Sequence, residues 1–116
     1  MAPAQKIDVH VDGNTKVTIQ IEFDEERDSF GSEALILDRN TNPHRSTTIQ
    51  FGNDHGTANK AFQAAFHWIA KWSAARDLPI LEISNPGDSD FLSLEDQVFI
   101  ARQLGVEAPV TARGRV

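Results

Sequence analysis

A chain of 116 residues, 40% hydrophobic and 24% charged, has the balance of one globular domain, long enough to bury a core but with little room for a second. Its net charge of −6, from 17 acids against 11 bases, works against a general affinity for nucleic acid or anionic lipid, since both need a basic face. The absence of cysteine excludes disulfides, thiolate catalysis and cysteine-based zinc motifs together.

The opening MAPAQK lacks the apolar core of a secretory signal, and no later run is apolar enough to span a bilayer. The expectation is therefore a cytoplasmic protein with no membrane partner, disordered over residues 1–5 and folded over 6–105. Ile7, Val9 and Val11 alternate with polar residues, as do Val17, Ile19, Ile21 and Phe23, which marks two half-buried strands. Opposed residues share a face, so the expected pairs are Val11 with Val17, Val9 with Ile19 and Ile7 with Ile21. That register implies a three-residue Gly13-Asn14-Thr15 loop with Gly13 or Asn14 at positive φ, or five residues if the closing pair opens, and it sets His10 opposite Thr18 on the outer face.

The acidic stretch from Asp24 to Gly31 reads as a loop, Ala34 to Asp38 as a third strand and Asn40-Thr41-Asn42-Pro43 as a turn. Thr47, Ile49 and Phe51 are then the inward positions of a fourth strand. Gly52 to Gly56 connect it to the strongest element of the chain, a helix from Thr57 to Arg76. There Ala58, Phe62, Ala65, Phe66 and Ile69 form one apolar stripe, Thr57 is the N-cap, and Asp77-Leu78-Pro79 ends the helix. Trp68, Trp72 and Ala61 widen the stripe on one flank, so a further element is expected to cover them. Ile80 to Ile83 make a short fifth strand, reached from the fourth by a helical crossover in a mixed sheet, and broken at Asn85-Pro86-Gly87. Ser93 caps a second helix, Leu94 to Leu104, stopped by Gly105 and expected to lie beside the tryptophans. Residues 106–116 lack periodicity and read as a flexible tail. The fold expected is α+β, in the order ββββαβα, with the helices on one face of the sheet.

Chemistry is harder to find. A two-metal nuclease would need clustered carboxylates, and the long helix has none. No two of His10, His44, His55 and His67 have metal-ligand spacing. A site combining Asp54 and His55 with a distant histidine, and a calcium loop over Asp88-Ser89-Asp90 with Glu95, both lack a supporting pattern. No serine sits in a nucleophile elbow. No metal and no cofactor are therefore expected. The segment Gly52, Asn53, Asp54, His55, Gly56 and Thr57 is the candidate ligand loop, because a glycine-bounded turn before a helix can present N–H groups to an anion. It lacks the Lys-Ser/Thr pair of a phosphate loop, its Asp54 would repel an anion, and a capped strand-to-helix turn is the simpler account of it.

Charge distribution supplies the leading expectation. Glu22, Asp24, Glu25, Glu26, Asp28 and Glu33 are answered by Arg27 alone, and a second acidic run extends from Asp77 to Asp96. Such segments keep a small domain soluble or steer it towards a basic protein. The reading is a non-enzymatic protein-binding module of the inhibitor, immunity-factor or phage-regulator kind, monomeric or homodimeric. Its contacts would be Glu25, Glu26 and Asp28 with Trp68 and Trp72. The alternatives are a small enzyme or ligand-binding domain at Gly52–Thr57, and a structural subunit pairing through its sheet edge.

Overall fold

The computed structural model describes residues 4–12, 14–39, 45–86 and 91–111. The element order is β1 (Ala4–Val11), β2 (Thr15–Asp24), β3 (Ser29–Asp38), β4 (Arg45–Gln50), α1 (Ala58–Ala75), β5 (Ile80–Ser84), α2 (Leu94–Gln103) and β6 (Val110–Thr111). The strands form one sheet in the order β4-β3-β2-β1-β5-β6, antiparallel except for the parallel β5–β6 pair. Both helices cover one face, giving the α+β architecture that the patterning implies.

Alternation assigns the faces. Ile7, Val9 and Val11 of β1, Val17, Ile19 and Ile21 of β2, Ala34 of β3 and Ile83 of β5 are fully buried against Ala61, Phe62, Ala65, Phe66 and Ile69 of α1. Phe62 and Phe66 stack at 5.4 Å, and each such ring contributes about 1.5–3 kcal/mol by leaving water. Thr57 accepts the Lys60 N–H at 3.1 Å as N-cap of α1, and Ser93 accepts the Asp96 N–H at 3.1 Å as N-cap of α2. Gly105, at φ +82°, closes α2 as its C-terminal stop.

Four expectations change. The β1–β2 register pairs Val9 with Val17, Ile7 with Ile19 and Gln5 with Ile21, two residues from the expected one, so His10 faces Lys16 rather than Thr18. A two-residue slip keeps every side chain on its face, so hydrophobic pattern cannot distinguish the two registers. The turn decides instead: Asp12 takes φ 38° and its carboxylate accepts the Asn14 N–H at 2.7 Å, which leaves Thr15 to begin β2. The connection is thus Asp12 to Asn14 rather than Gly13 to Thr15; Gly13 itself lies outside the described residues.

The second change is that Asp24 to Gly31 is not a loop. β2 extends to Asp24 and β3 starts at Ser29, joined by a turn over Glu25–Asp28 in which Asp28 has φ 51°. Third, Thr47 in β4 is exposed while Ile49 and Phe51 are half-buried, because β4 is the sheet edge. Fourth, α2 does not pack on the tryptophans. Trp68 meets Phe51, which follows β4, with ring centroids 6.2 Å apart, while α2 packs against α1 and against β6, the strand at the opposite edge of the sheet.

Strands also occupy part of both flanking stretches. Gln5, in the stretch expected to be disordered, is 2% exposed within β1, and Val110–Thr111, in the expected tail, form β6 on β5. The turn read at Asn40–Pro43, the Asp88-Ser89-Asp90 motif and His44 lie outside the described residues, as do residues 1–3 and 112–116.

Candidate functional site

The acidic residues separate into two kinds. Several are used inside the fold. Asp24 accepts the Glu26 N–H at 3.0 Å and pairs loosely with Arg27 at 3.7 Å; Asp8 accepts the Thr18 hydroxyl at 2.7 Å; and Glu82 accepts that of Thr111 at 3.1 Å. Glu95 and Asp96 occupy the first turn of α2, where they favourably meet the positive end of the helix dipole. Glu82, Glu95 and Asp96 of the second acidic run thus have places in the fold, while Asp88 and Asp90 lie outside the described residues.

The tip of the β2–β3 hairpin is different. Glu25, Glu26 and Asp28 are exposed, and among the described residues their side chains make no hydrogen bond or ion pair. The neighbouring base, Arg27, is directed back onto the fold by a 3.0 Å bond from its Nη1 to Asn53 Oδ1. Beneath the tip, two adjoining, solvent-open concavities of ≈ 290 and ≈ 430 Å³ share Glu22, Gly31 and Asn53. The first is completed by Gln20, Ser32, Glu33, Gln50 and Gly52, and the second by Phe23 to Glu26. Carboxylates thus line a hollow on the sheet face that the helices leave open.

Gly31 makes that hollow. It sits opposite Glu22 in an outward-facing row, and a Cβ there would stand 3.0 Å from Asn53 Cβ and 3.1 Å from Asn53 Cα. The close neighbour is the continuation of β4. Phe51 N–H donates to Ser32 O at 2.9 Å, the chain then loops outwards with Gly52 at φ +91°, and Phe30 and His55 exchange both backbone bonds. Glycine inside a strand signals such a close approach and could have revealed it from the sequence.

The Gly52–Thr57 segment is accordingly stitched to β3. Ser29 Oγ donates to Asn53 O at 2.6 Å, and His55 donates its Nε2–H to Phe51 O at 2.8 Å. The His55 N–H is occupied by Phe30 O and the Thr57 hydroxyl caps α1, while Gly52, Asp54 and Gly56 are exposed. Trp68 and Trp72 are half-buried and stack 6.1 Å apart, with the Arg76 guanidinium 4.9 Å over the Trp72 ring, an arrangement that favours an ordered flank. His10 bonds Ser84 at 2.9 Å on the outer face, and His67 is exposed on α1. Among the described residues, no three His, Asp or Glu side chains converge as metal ligands would, and no helix is long and apolar enough to cross a membrane.

No family model matches the chain, and comparison with curated proteins and with solved structures finds no match.

Proposed function

We propose that the protein is a non-enzymatic binding module that recognises a basic protein surface through the tip of its β2–β3 hairpin. The observation that carries this reading is the uncommitted state of Glu25, Glu26 and Asp28. Asp12 and Asp24, beside or within turns themselves, spend their carboxylates on backbone N–H groups, whereas these three point into solvent beside a hollow lined by further carboxylates. Their like charges repel within the tip, and an incoming Lys or Arg relieves that repulsion while gaining its own partners. A short turn between two long, paired strands also holds the charges in place, which lowers the ordering cost of binding.

The candidate ligand loop offers less to a small molecule. Its His55 N–H and Nε2–H are engaged by Phe30 and Phe51, and the exposed carboxylate of Asp54 repels an anion. The test is capture from a lysate of the source organism with wild-type protein and with the Glu25→Gln/Glu26→Gln/Asp28→Asn variant, fold verified in both. A stoichiometric basic partner held by the wild type and lost by the variant supports the reading. Equal capture by both removes the hairpin tip from it.

A further inference from the structure

The middle of the β4 edge, from Ser46 to Gln50, carries no side chain that would prevent pairing. In an antiparallel ladder, alternate residues direct their backbone groups to the same neighbour. Phe51 N–H donates to Ser32 O, and the same register pairs Ile49 with Ala34, Thr47 with Ile36 and Arg45 with Asp38. These odd-numbered residues therefore spend their N–H and C=O groups on β3. The far side of β3 agrees, since Arg39 N–H donates to Asn14 O and gives the odd residues of β3 to β2. Ser46, Thr48 and Gln50 are left with their backbone groups facing outwards.

Edge strands usually carry lysine, proline or an inward charge to prevent pairing. In β4 the only charge is Arg45, at the strand's start; from Ser46 to Gln50 there is no charge and no proline, and the run Thr47-Thr48-Ile49 is β-branched throughout. Ser46, Thr47, Thr48 and Gln50 are exposed, and no described strand lies beyond β4. On the core side, Trp68 packs on Phe51, the residue that follows β4, and Trp72 stacks on Trp68 one helical turn further along α1.

We propose that β4 docks a second copy of this chain, strand to strand, about a two-fold axis through Thr48. The axis sets Thr48 opposite its symmetry mate, Thr47 opposite the partner's Ile49 and Ser46 opposite the partner's Gln50. Every outward backbone group from Ser46 to Gln50 gains a bond, and the two six-stranded sheets become continuous.

Charge explains why a second acidic copy is accommodated. The contacting residues are uncharged, and the two-fold sends the acidic tips to opposite ends of the joined sheet. Thr48 is level with Leu35, and the strand from Leu35 up to Ser29 rises roughly 20 Å. The two tips therefore stand well beyond the ≈ 8 Å screening length of physiological salt. A single strand pairing is a small interface, so the dimer depends on concentration.

Because the chain has no cysteine, Thr48→Cys places one thiol on the axis. The Cα separation of about 5.5 Å in a hydrogen-bonded antiparallel pair falls within disulfide range. Expected results are sedimentation of the wild type moving from monomer to dimer with concentration, and oxidative cross-linking of Thr48→Cys but not of Glu33→Cys on the next strand. Thr48→Pro removes only an outward N–H and should remain folded and monomeric. If that variant is misfolded, Thr48→Lys, which sets like charges against each other on the axis, takes its place and should also be monomeric. A wild type that stays monomeric at all concentrations, cross-linking no faster at Thr48 than at Glu33, or a folded Thr48→Pro or Thr48→Lys variant that still dimerises would overturn the proposal. So would a monomeric wild type whose lysate partner is lost in Thr48→Pro, which would give the edge to a different chain. The Glu25→Gln/Glu26→Gln/Asp28→Asn variant should dimerise as the wild type does, which separates this proposal from the function of the tip.

Discussion

Three buried polar side chains hold the C-terminal third of the molecule to the sheet, and the Asn85–Gln97 pair among them should be worth several kcal/mol. Asn85 and Gln97 are 1% and 0% exposed and exchange reciprocal amide bonds: Gln97 Nε2 donates to Asn85 Oδ1 at 2.9 Å, and Asn85 Nδ2 to Gln97 Oε1 at 3.1 Å. Asn85 Nδ2 also donates to Thr111 O at 3.0 Å, which ties β6 to the pair. Gln97→Ala removes both reciprocal bonds, at about 1 kcal/mol each, and leaves Asn85 Oδ1 buried without a donor, at about 1–3 kcal/mol, so the total loss is about 3–5 kcal/mol. Asn85→Ala should cost a similar amount by orphaning Gln97 Oε1. In the double variant the two reciprocal bonds are lost once instead of twice and neither orphan exists, so its loss should fall about 4–8 kcal/mol short of the sum of the single losses. Urea unfolding with a common slope measures all three. Additivity within about 0.5 kcal/mol, or single losses below about 1 kcal/mol, would refute the reciprocal pair as the element that holds α2 and β6 in place.

Three further outcomes follow from particular contacts. Phe66→Asp buries a charge at a fully enclosed position and should abolish cooperative unfolding, which circular dichroism will show; an unchanged melting temperature would refute the core assignment. Gly31→Ala drives a methyl group to 3.0 Å from Asn53 Cβ and should cost about 1–3 kcal/mol by displacing the bulged strand, read as a lower thermal midpoint. Ser32→Ala removes the 2.8 Å bond from Ser32 Oγ to Ala61 O, orphaning no donor, and should cost only about 1 kcal/mol by the same assay.

Helices and faces were readable because their signals are local. Thr57 and Ser93 are caps by residue type, the α1 stripe has helical spacing, and the alternation in β1 and β2 assigns inside and outside. Register was not readable, because a two-residue slip leaves alternation intact and the choice rests on the carboxylate of Asp12. The buried amides were equally opaque. Gln5 accepts the Phe91 and Leu92 N–H groups at 3.0 Å each, partners 86 and 87 residues away, and nothing near Gln5 announces them. β6 is two residues long and stabilised by β5, so no periodicity marks it. As for the candidate site, Glu25, Glu26 and Asp28 were visible as charge, but the hollow beside them depends on Gly31 and Asn53 meeting across two strands. The wide arc of α1 correctly called for a cover over Trp68, yet that cover is Phe51 rather than α2.

The functional account rests on charge presented by the hairpin tip, and the most direct test is the ionic-strength dependence of affinity for the captured partner. Measured side by side, wild-type affinity should fall steeply from low to high salt, while the Glu25→Gln/Glu26→Gln/Asp28→Asn variant should bind more weakly at low salt and with a much flatter dependence. Equal affinities with parallel salt dependence would contradict the account and place the partner elsewhere on the molecule.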